Sequence, residues 1–304
     1  MIPRLQLHVP VAPLTTFGIG GTAEFFVAVK NPEDLLATAS AAAHSKMPYR
    51  VLASGSNVVF RDKEVRGLLI QFLGGTVKFD GDTCTVDAGV ALDRVITGAI
   101  AAGLKGLETL SGIPGSIGGA IVGNAGAYGH SISEVVERVE IWDGTSRRWI
   151  TRPQCHFAYR ESVFKAKPWL ILRARLRFSR SDAKELGKIS RDIVNLRLKK
   201  YQPGLRCPGS FFKNVLVRDV SKSSLQRIDP ARIIEGKIPA GYLLEQVGAN
   251  GMKRDGIEIA GFHGNLLFNR RGGTCAAVQR LASILKGRVR KKFGIELEEE
   301  IWYF

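Results

Sequence analysis

Cysteine is scarce: Cys84, Cys155, Cys207 and Cys275 are the only four in 304 residues, and they lie far apart. There is no C-x-x-C pair and no regular spacing to the five histidines, so neither a disulfide framework nor a metal site is expected; reduced thiols are the reading. Long apolar runs are missing too, which argues against a membrane span. Met1 to Phe17 contains three prolines and His8 but no apolar h-region or small-residue cleavage site. A secretory signal is therefore not expected, and the cytoplasm is the default compartment. No G-x-x-x-x-G-K-[ST] loop occurs, which sets aside a P-loop nucleotidase, and neither Ser116 nor Ser210 has the G-x-S-x-G frame of a hydrolase elbow. Internal repeats and low-complexity segments are also absent.

Acidic residues are outnumbered, 28 against 44 Lys and Arg, for a net charge of +16. Such a field draws nucleic acid or small phosphate-bearing ligands. The local basic clusters, Arg191 to Lys200 and Lys286 to Lys292, fall on helical patterns and read as solvated faces. No aromatic-interleaved motif accompanies them, so nucleic acid is not the expected partner. With 45% hydrophobic residues the chain is long enough for two or three globular domains.

The pattern is mixed α/β. Glu24 to Val29 reads as a strand. Asn31-Pro32-Glu33-Asp34 opens a helix with an N-cap residue, Pro at the first position and two acids, and the helix runs to His44. Tyr49 to Leu52 is a second strand, ending in the small-residue loop Ser54 to Asn57. Strand patterns and turns follow from Leu68, closing in a helix from about Asp93 that stops at Gly103. Val135–Trp142 and Arg148–Ile150 form a hairpin across Asp143-Gly144, and Leu170 to Phe178 is another strand. Asp182 to Lys200 is an amphipathic helix with Leu186, Ile189, Ile193 and Leu196 on one face. Tyr201-Gln-Pro-Gly204 marks a domain boundary. Beyond it, helices are predicted at 230–234, 240–247 and 274–293, with Gly294 as a stop, and a last strand over 296–302.

Gly18-Ile-Gly20-Gly-Thr-Ala23 matches the G-x-G-x-x-A dinucleotide fingerprint, but prolines precede it and a strand follows, so a tight turn between strands is expected instead. Ser111-Gly-Ile-Pro-Gly115-Ser116-Ile-Gly118-Gly119-Ala120, continuing into Asn124-Ala-Gly126-Ala-Tyr128-Gly129, is more informative. So many glycines let the backbone approach a ligand closely and aim N–H groups at a pyrophosphate. Together with Ser54 to Asn57, this segment favours a large phosphate-bearing cofactor over a mere set of tight turns. Three polar sites remain: Tyr159-Arg160-Glu161-Ser162, Gly209-Ser210-Phe211-Phe212-Lys213-Asn214, and Glu298-Glu299-Glu300, where strand alternation would send Glu298 and Glu300 to one face and Glu299 to the other. A surface salt bridge, a turn serine and a solvated acidic strand end account for each taken singly. Residue chemistry alone stops at an α/β protein with a glycine-rich anion-binding segment.

Taken in order, however, these segments resemble the UDP-N-acetylenolpyruvoylglucosamine reductase family. They are Thr15 to Gly21, Gly55 to Asn57, Gly112 to Gly119, Asn124 to Gly129, Tyr159 to Lys165, Gly209 to Asn214, Ala240 to Leu243 and Leu297 to Glu300. The ordered set spans nearly the whole chain. The resemblance implies an FAD-binding region of the vanillyl-alcohol-oxidase type in two subdomains, residues 1–70 and 71–200, followed by an α/β substrate-binding domain over 201–304. It implies non-covalent FAD, NADPH as co-substrate, and reduction of UDP-N-acetylglucosamine enolpyruvate to UDP-N-acetylmuramate for peptidoglycan, by a cytoplasmic monomer. Cofactor contacts are implied at Ser54, Gly55, Ser56, Asn57, Gly112, Pro114, Gly115, Ser116, Gly118, Gly119, Asn124, Ala125 and Gly126. Arg160 and Glu300 match the positions that stabilise developing negative charge, and Ser210 the proton donor; Lys213, Asn214 and Tyr242 fall near the UDP-sugar. The short span from Arg160 to Ser210 suits the family type lacking an extra substrate-covering loop. Departures are Trp302, where relatives usually carry arginine, Pro208-Gly209 and Val215 around the serine, and Gly123.

Two other readings are set beside this one. A flavin oxidase on the same fold would often carry a flavin-linking histidine or cysteine, and only His130 lies beside the glycine-rich loops. A catalytically silent binding protein would not need Arg160, Ser210 and Glu300 together.

Overall fold

A computed structural model describes residues 4–304; Met1 to Pro3, part of the stretch read as lacking a secretory signal, lie outside the described residues. The chain divides into two compact units. The first comprises residues 1–9, 23–54 and 66–199, the second residues 10–22, 55–65 and 200–304.

In the first unit β1 (Gln6–Pro10), β2 (Thr22–Val29), β3 (Tyr49–Leu52) and β4 (Val65–Phe72) form a sheet in the order β1-β2-β4-β3, with β3 and β4 parallel. Helix α1 (Pro32–His44) starts as its sequence predicts: the Asn31 side chain accepts from Asp34 N at 2.8 Å, capping one otherwise orphaned N–H. A second, antiparallel sheet adds β5 (Val77–Asp80), β6 (Thr83–Asp87), β7 (Val136–Trp142), β8 (Arg147–Thr151) and β9 (Leu170–Arg177) in the order β8-β7-β9-β6-β5. The β7–β8 connection is the expected turn, with Asp143 Oδ1 accepting from Thr145 N and Ser146 N. These hydrogen bonds hold its carboxyl well below the usual carboxylate range. Helices α2 (Leu92–Ala101) and α3 (Ile117–Val122) pack Leu92, Val95, Ile96, Ile117 and Ile121 into one buried cluster with the sheet residues. Along α4 (Ala183–Lys200) the predicted apolar stripe is only half realised: Leu186 and Ile193 are buried, but Leu196 is 51% exposed.

The second unit buries its own cluster around Phe17, Val59, Phe211, Phe212, Leu243 and Leu281. Its elements include α5 (Ala240–Glu245), β10 (Ile257–Ile259), β11 (Leu267–Asn269) and α6 (Cys275–Phe293). Thr274 caps α6 and Gly294, at φ 69°, ends it, as the sequence predicts. Two expectations fail. Residues 230–232 make only a single 3-10 turn, because the Asp229 cap and Pro230 start a helix that no apolar stripe continues. The last strand is confined to Trp302–Tyr303, paired in parallel with Val58–Val59; residues 295–300 form no regular strand and meet a partner at one bridge only, Phe212 with Glu299. Gly18–Gly21 carries no regular structure, follows a 3-10 turn at Ala12–Leu14 and leads straight into β2, not into a helix. A Cβ on Gly20 would lie 2.6 Å from Phe60 Cβ and Val11 Cγ2, so these glycines serve packing.

Candidate active site

Arg160 stands in the first unit at the third position of a turn closed by Ala158 N to Glu161 O and Glu161 N to Ala158 O, each 3.0 Å. Its backbone is left-handed, φ 57°, which costs a non-glycine residue roughly 1–3 kcal/mol and persists only where the surroundings impose it. The imposition is visible. Asn124, buried and itself at φ 41°, donates from Nδ2 to Ala158 O at 2.8 Å and accepts from Ser133 N at 3.3 Å, tying the turn to the glycine-rich segment. Arg160 Nη2 donates to Gly126 O at 2.8 Å, and the guanidinium lies 5.4 Å from the Tyr159 ring centroid. Gly126–Ala127 and His130–Ser131 form a two-residue hairpin whose central Tyr128 and Gly129 both have positive φ, the type I′ geometry. A Cβ on Gly126 would fall 2.4 Å from His130 O, so the residue that holds Arg160 has to be glycine. Two motifs that the sequence offers separately are thus one construction.

Within the predicted cofactor segment, Gly112, Pro114 and Gly119 are exposed, and Gly115 and Gly123 half so. A Cβ on Gly119 or Gly123 would meet nothing closer than 3.5 Å; a bare backbone surface is presented there. Ser116 is buried and caps α3, its Oγ accepting from Gly119 N at 3.1 Å. Gly118 is buried against Ala88. Ser116 and Gly118 therefore shape the loop, and the exposed glycines and Pro114 form its open face. Ala125 is half-buried beside Asn124 and packs on the apolar core. Ser54, half-buried, closes a stretch of the first unit.

In the second unit two aromatic neighbours hold Ser210 in place. Phe211 and Phe212 are 0% and 1% exposed, with their rings edge-to-face at 4.9 Å, and burying two such side chains anchors the segment by roughly 3–6 kcal/mol. Ser210 itself stays half-buried. Glu300 N donates to Phe211 O at 2.8 Å and Lys213 N to Glu298 O at 2.9 Å, so the serine and glutamate segments run side by side. The peptide groups of Phe212 turn the other way, to the buried Asn265: Phe212 N donates to Oδ1 and Nδ2 donates to Phe212 O, both 2.8 Å. The Glu300 carbonyl accepts from Asn57 Nδ2 at 3.0 Å. Gly55, at φ 63°, lies so close to Leu14 that a Cβ would be 2.2 Å from its carbonyl oxygen. Thr16 Oγ1 reaches both Cys207 O, 2.8 Å, and Ser56 O, 3.4 Å. Asn57 and Ser56 therefore brace the segments of Glu300 and Ser210.

Lys213 is buried and pairs with Glu298, itself 72% exposed. Asn214 Oδ1 accepts from Ala240 N at 3.1 Å at the start of α5, and the Tyr242 ring lies 6.4 Å from that of Phe293 with Arg232 above it. Glu299 turns to Lys286 and Tyr303; burial, then this carboxylate, push the Tyr303 phenol well above its ordinary range. A shallow cavity of about 350 Å³ lined by Arg61, Lys63, Cys275 and Phe304 holds none of the predicted site residues. Among the described residues no group of three or more His, Cys, Asp or Glu is placed to hold a metal, and no helix is long and apolar enough to cross a membrane. Two residues escaped sequence reasoning. Asn265 carries no local signal at all, and Tyr201, which appeared only as part of a boundary turn, has its hydroxyl 3.2 Å from Ser210 Oγ.

The family model of an FAD binding domain matches residues 23–151, and that of the UDP-N-acetylenolpyruvoylglucosamine reductase C-terminal domain matches residues 202–304. The chain is an FAD-dependent oxidoreductase of mixed α/β fold. The UDP-N-acetylenolpyruvoylglucosamine reductase of Solibacter usitatus is 43% identical over 99% of this chain and 98% of its own, and that of Alkaliphilus oremlandii 30% identical over 99% and 94%. The crystal structure of UDP-N-acetylenolpyruvylglucosamine reductase (MurB) from Thermus caldophilus superposes with a TM-score of 0.78 at 28% identity, covering 99% of each chain. The protein belongs to the UDP-N-acetylenolpyruvoylglucosamine reductase family.

Proposed function

We propose that this protein reduces UDP-N-acetylglucosamine enolpyruvate to UDP-N-acetylmuramate in the cytoplasm, with NADPH as reductant and non-covalent FAD. The observation that carries the reading is Arg160, a cation held rigidly by Gly126 and Asn124 at the edge of a bare glycine face. That face fits a dinucleotide: glycine backbone at 119 and 123 leaves room for close approach of phosphate, and the Arg197 guanidinium, donating to Gly112 O at 3.1 Å, adds a cation at its end. Gly112, Pro114, Gly115, Gly119 and Gly123 would hold the FAD. Bound there, FAD would supply the hydride-carrying chemistry between NADPH and the β-carbon of the enol ether.

The chain's own residues then manage charge and a proton. Negative charge builds on the carbon bearing the carboxylate, and the Arg160 guanidinium, with Glu300 donating a hydrogen bond as the protonated carboxylic acid, lowers its energy. Ser210 Oγ–H gives its proton to that carbon; an enolate-like carbanion is a far stronger base than an alkoxide, so the transfer runs downhill. Fixed neighbours keep the serine in place, since Phe211 and Phe212 are sunk in the core. Lys213, Asn214 and Tyr242 are assigned to the UDP-sugar side. The three-part division at residues 70 and 200 belongs to the same reading.

The test is product chemistry. Purified protein loaded with FAD, given NADPH and the enolpyruvyl sugar in deuterated water, should yield UDP-N-acetylmuramate carrying one solvent deuterium at the carbon beside the carboxylate. NADPH oxidation that does not depend on the sugar, with peroxide as product, would point to a flavin oxidase instead.

A further inference from the structure

The hydroxyl that gives a proton must be given one back, and the role of Ser210 leaves the source of that proton open. The structure offers a neighbour. Tyr201 directly follows Lys200, the last residue of α4, and the turn from Gln202 to Leu205, closed by Leu205 N to Gln202 O at 3.1 Å with Gly204 at φ 82°, folds the chain back on itself. The return limb is pinned twice, by Asn269 N to Arg206 O and by Thr16 Oγ1 to Cys207 O, each 2.8 Å. Tyr201 Oη and Ser210 Oγ thereby meet at 3.2 Å, both half-buried. The Lys200 ammonium lies 5.0 Å from the Tyr201 ring centroid, within cation–π range.

We propose that Tyr201 is the proton source for Ser210, a relay that deepens the function proposed above and rests on it. As the Ser210 O–H bond breaks and a C–H bond forms on the substrate, the Tyr201 O–H bond breaks and a new O–H bond forms on Ser210. Tyr201 is left as phenolate and takes a proton from solvent between turnovers, so one solvent proton enters for each product formed. The order of acidities is right: a phenol is a stronger acid than an aliphatic alcohol, so the serine never has to persist as alkoxide. Either hydroxyl can donate across this contact, and the relay uses the arrangement in which the phenol does. With Tyr201 donating to Oγ, the single hydrogen of Ser210 must point elsewhere, and the bond shortens as charge gathers on Oγ.

The experiment is stopped-flow reoxidation of the NADPH-reduced holoenzyme by UDP-N-acetylglucosamine enolpyruvate, in the wild type, Tyr201→Phe, Ser210→Ala and the double variant. Tyr201→Phe should reoxidise about 10-fold or more slowly. Its flavin reduction by NADPH and its affinity for the sugar, read from the perturbed spectrum of the oxidised enzyme, should stay as in the wild type. The double variant should be no slower than Ser210→Ala, because the tyrosine acts only through the serine. A version with 3-fluorotyrosine at 201, of nearly the same shape and more acidic, should exceed the wild-type rate. Wild-type reoxidation in Tyr201→Phe, beside a slow Ser210→Ala, would overturn the relay and leave the serine's role standing. A slow Phe variant whose rate ignores fluorination would reduce Tyr201 to an orienting group and also overturn the relay. Normal reoxidation in Ser210→Ala would instead remove the assignment on which the relay rests.

Discussion

The unit that carries Arg160 and the unit that carries Ser210 and Glu300 fix their polar groups by different means. In the first, a single amide, Asn124, is joined by backbone conformation that does most of the holding: left-handed residues at 124, 128 and 160, and a glycine at 126 whose carbonyl grips the guanidinium. In the second, side-chain amides do it. Asn265 satisfies both peptide groups of Phe212, Asn57 takes the Glu300 carbonyl, Asn269 takes the carbonyls of Phe17 and Gly18, and Asn214 meets the start of α5. A backbone device is local and tolerates little added bulk. An amide clamp joins segments far apart in the chain and fails when its polar atoms are removed.

The contrast can be pressed by substitution. Arg160→Ala removes the charge that the first unit is built to present, and turnover should fall about 10²–10³-fold while flavin reduction by NADPH is retained; equal loss in both half-reactions would break the assignment. Asn265→Ala strands a buried N–H and a buried carbonyl, at about 1–3 kcal/mol each, so thermal unfolding should come several degrees earlier. The size of the loss in the second unit should exceed that of Gly126→Ala in the first, about 1–3 kcal/mol from a Cβ pressed on His130 O. Gly126→Ala should instead show itself in turnover, through Arg160. If the two variants exchange these signatures, the contrast between backbone and amide construction is wrong.

The smallest effect is a pH dependence. Burial, and then the Lys200 ammonium, hold His263 at about 4, down from 6.5. Between those values the unfolded chain binds the proton first, so this residue's contribution to stability is complete above pH 6.5 and is lost as pH falls toward 4. Denaturant melts of His263→Gln should show a shallower loss of stability across that window than the wild type. An unchanged slope would mean that His263 is not the group responsible.

The two constructions also differ in how much of them the sequence discloses. Glycine runs are local, so the 112–129 segment, the Asn31 cap, the Asp143 turn and the Gly294 stop are all legible in a few consecutive residues. The packing of Ser210-Phe211-Phe212 is half legible, since two adjacent bulky aromatics announce an anchor but not what satisfies their peptides. The asparagine clamps are not legible, because Asn57 and Glu300, or Phe212 and Asn265, meet only through the tertiary fold. The expected final strand over 296–302 failed for a related reason: alternation of Ile295, Leu297 and their acidic neighbours sets which side chains are buried, but a ladder needs a partner of matching length, and residues 211–213 supply one bridge. Leu196, apolar and exposed, shows the same limit of periodicity when read without its neighbours.

The most direct test of the account is an anaerobic visible spectrum of the FAD-loaded protein, with NADPH added first and UDP-N-acetylglucosamine enolpyruvate second. The account predicts flavin bands that bleach with NADPH and return in full with the sugar, one equivalent for each equivalent of flavin. Bands that bleach and stay bleached until oxygen is admitted would contradict it.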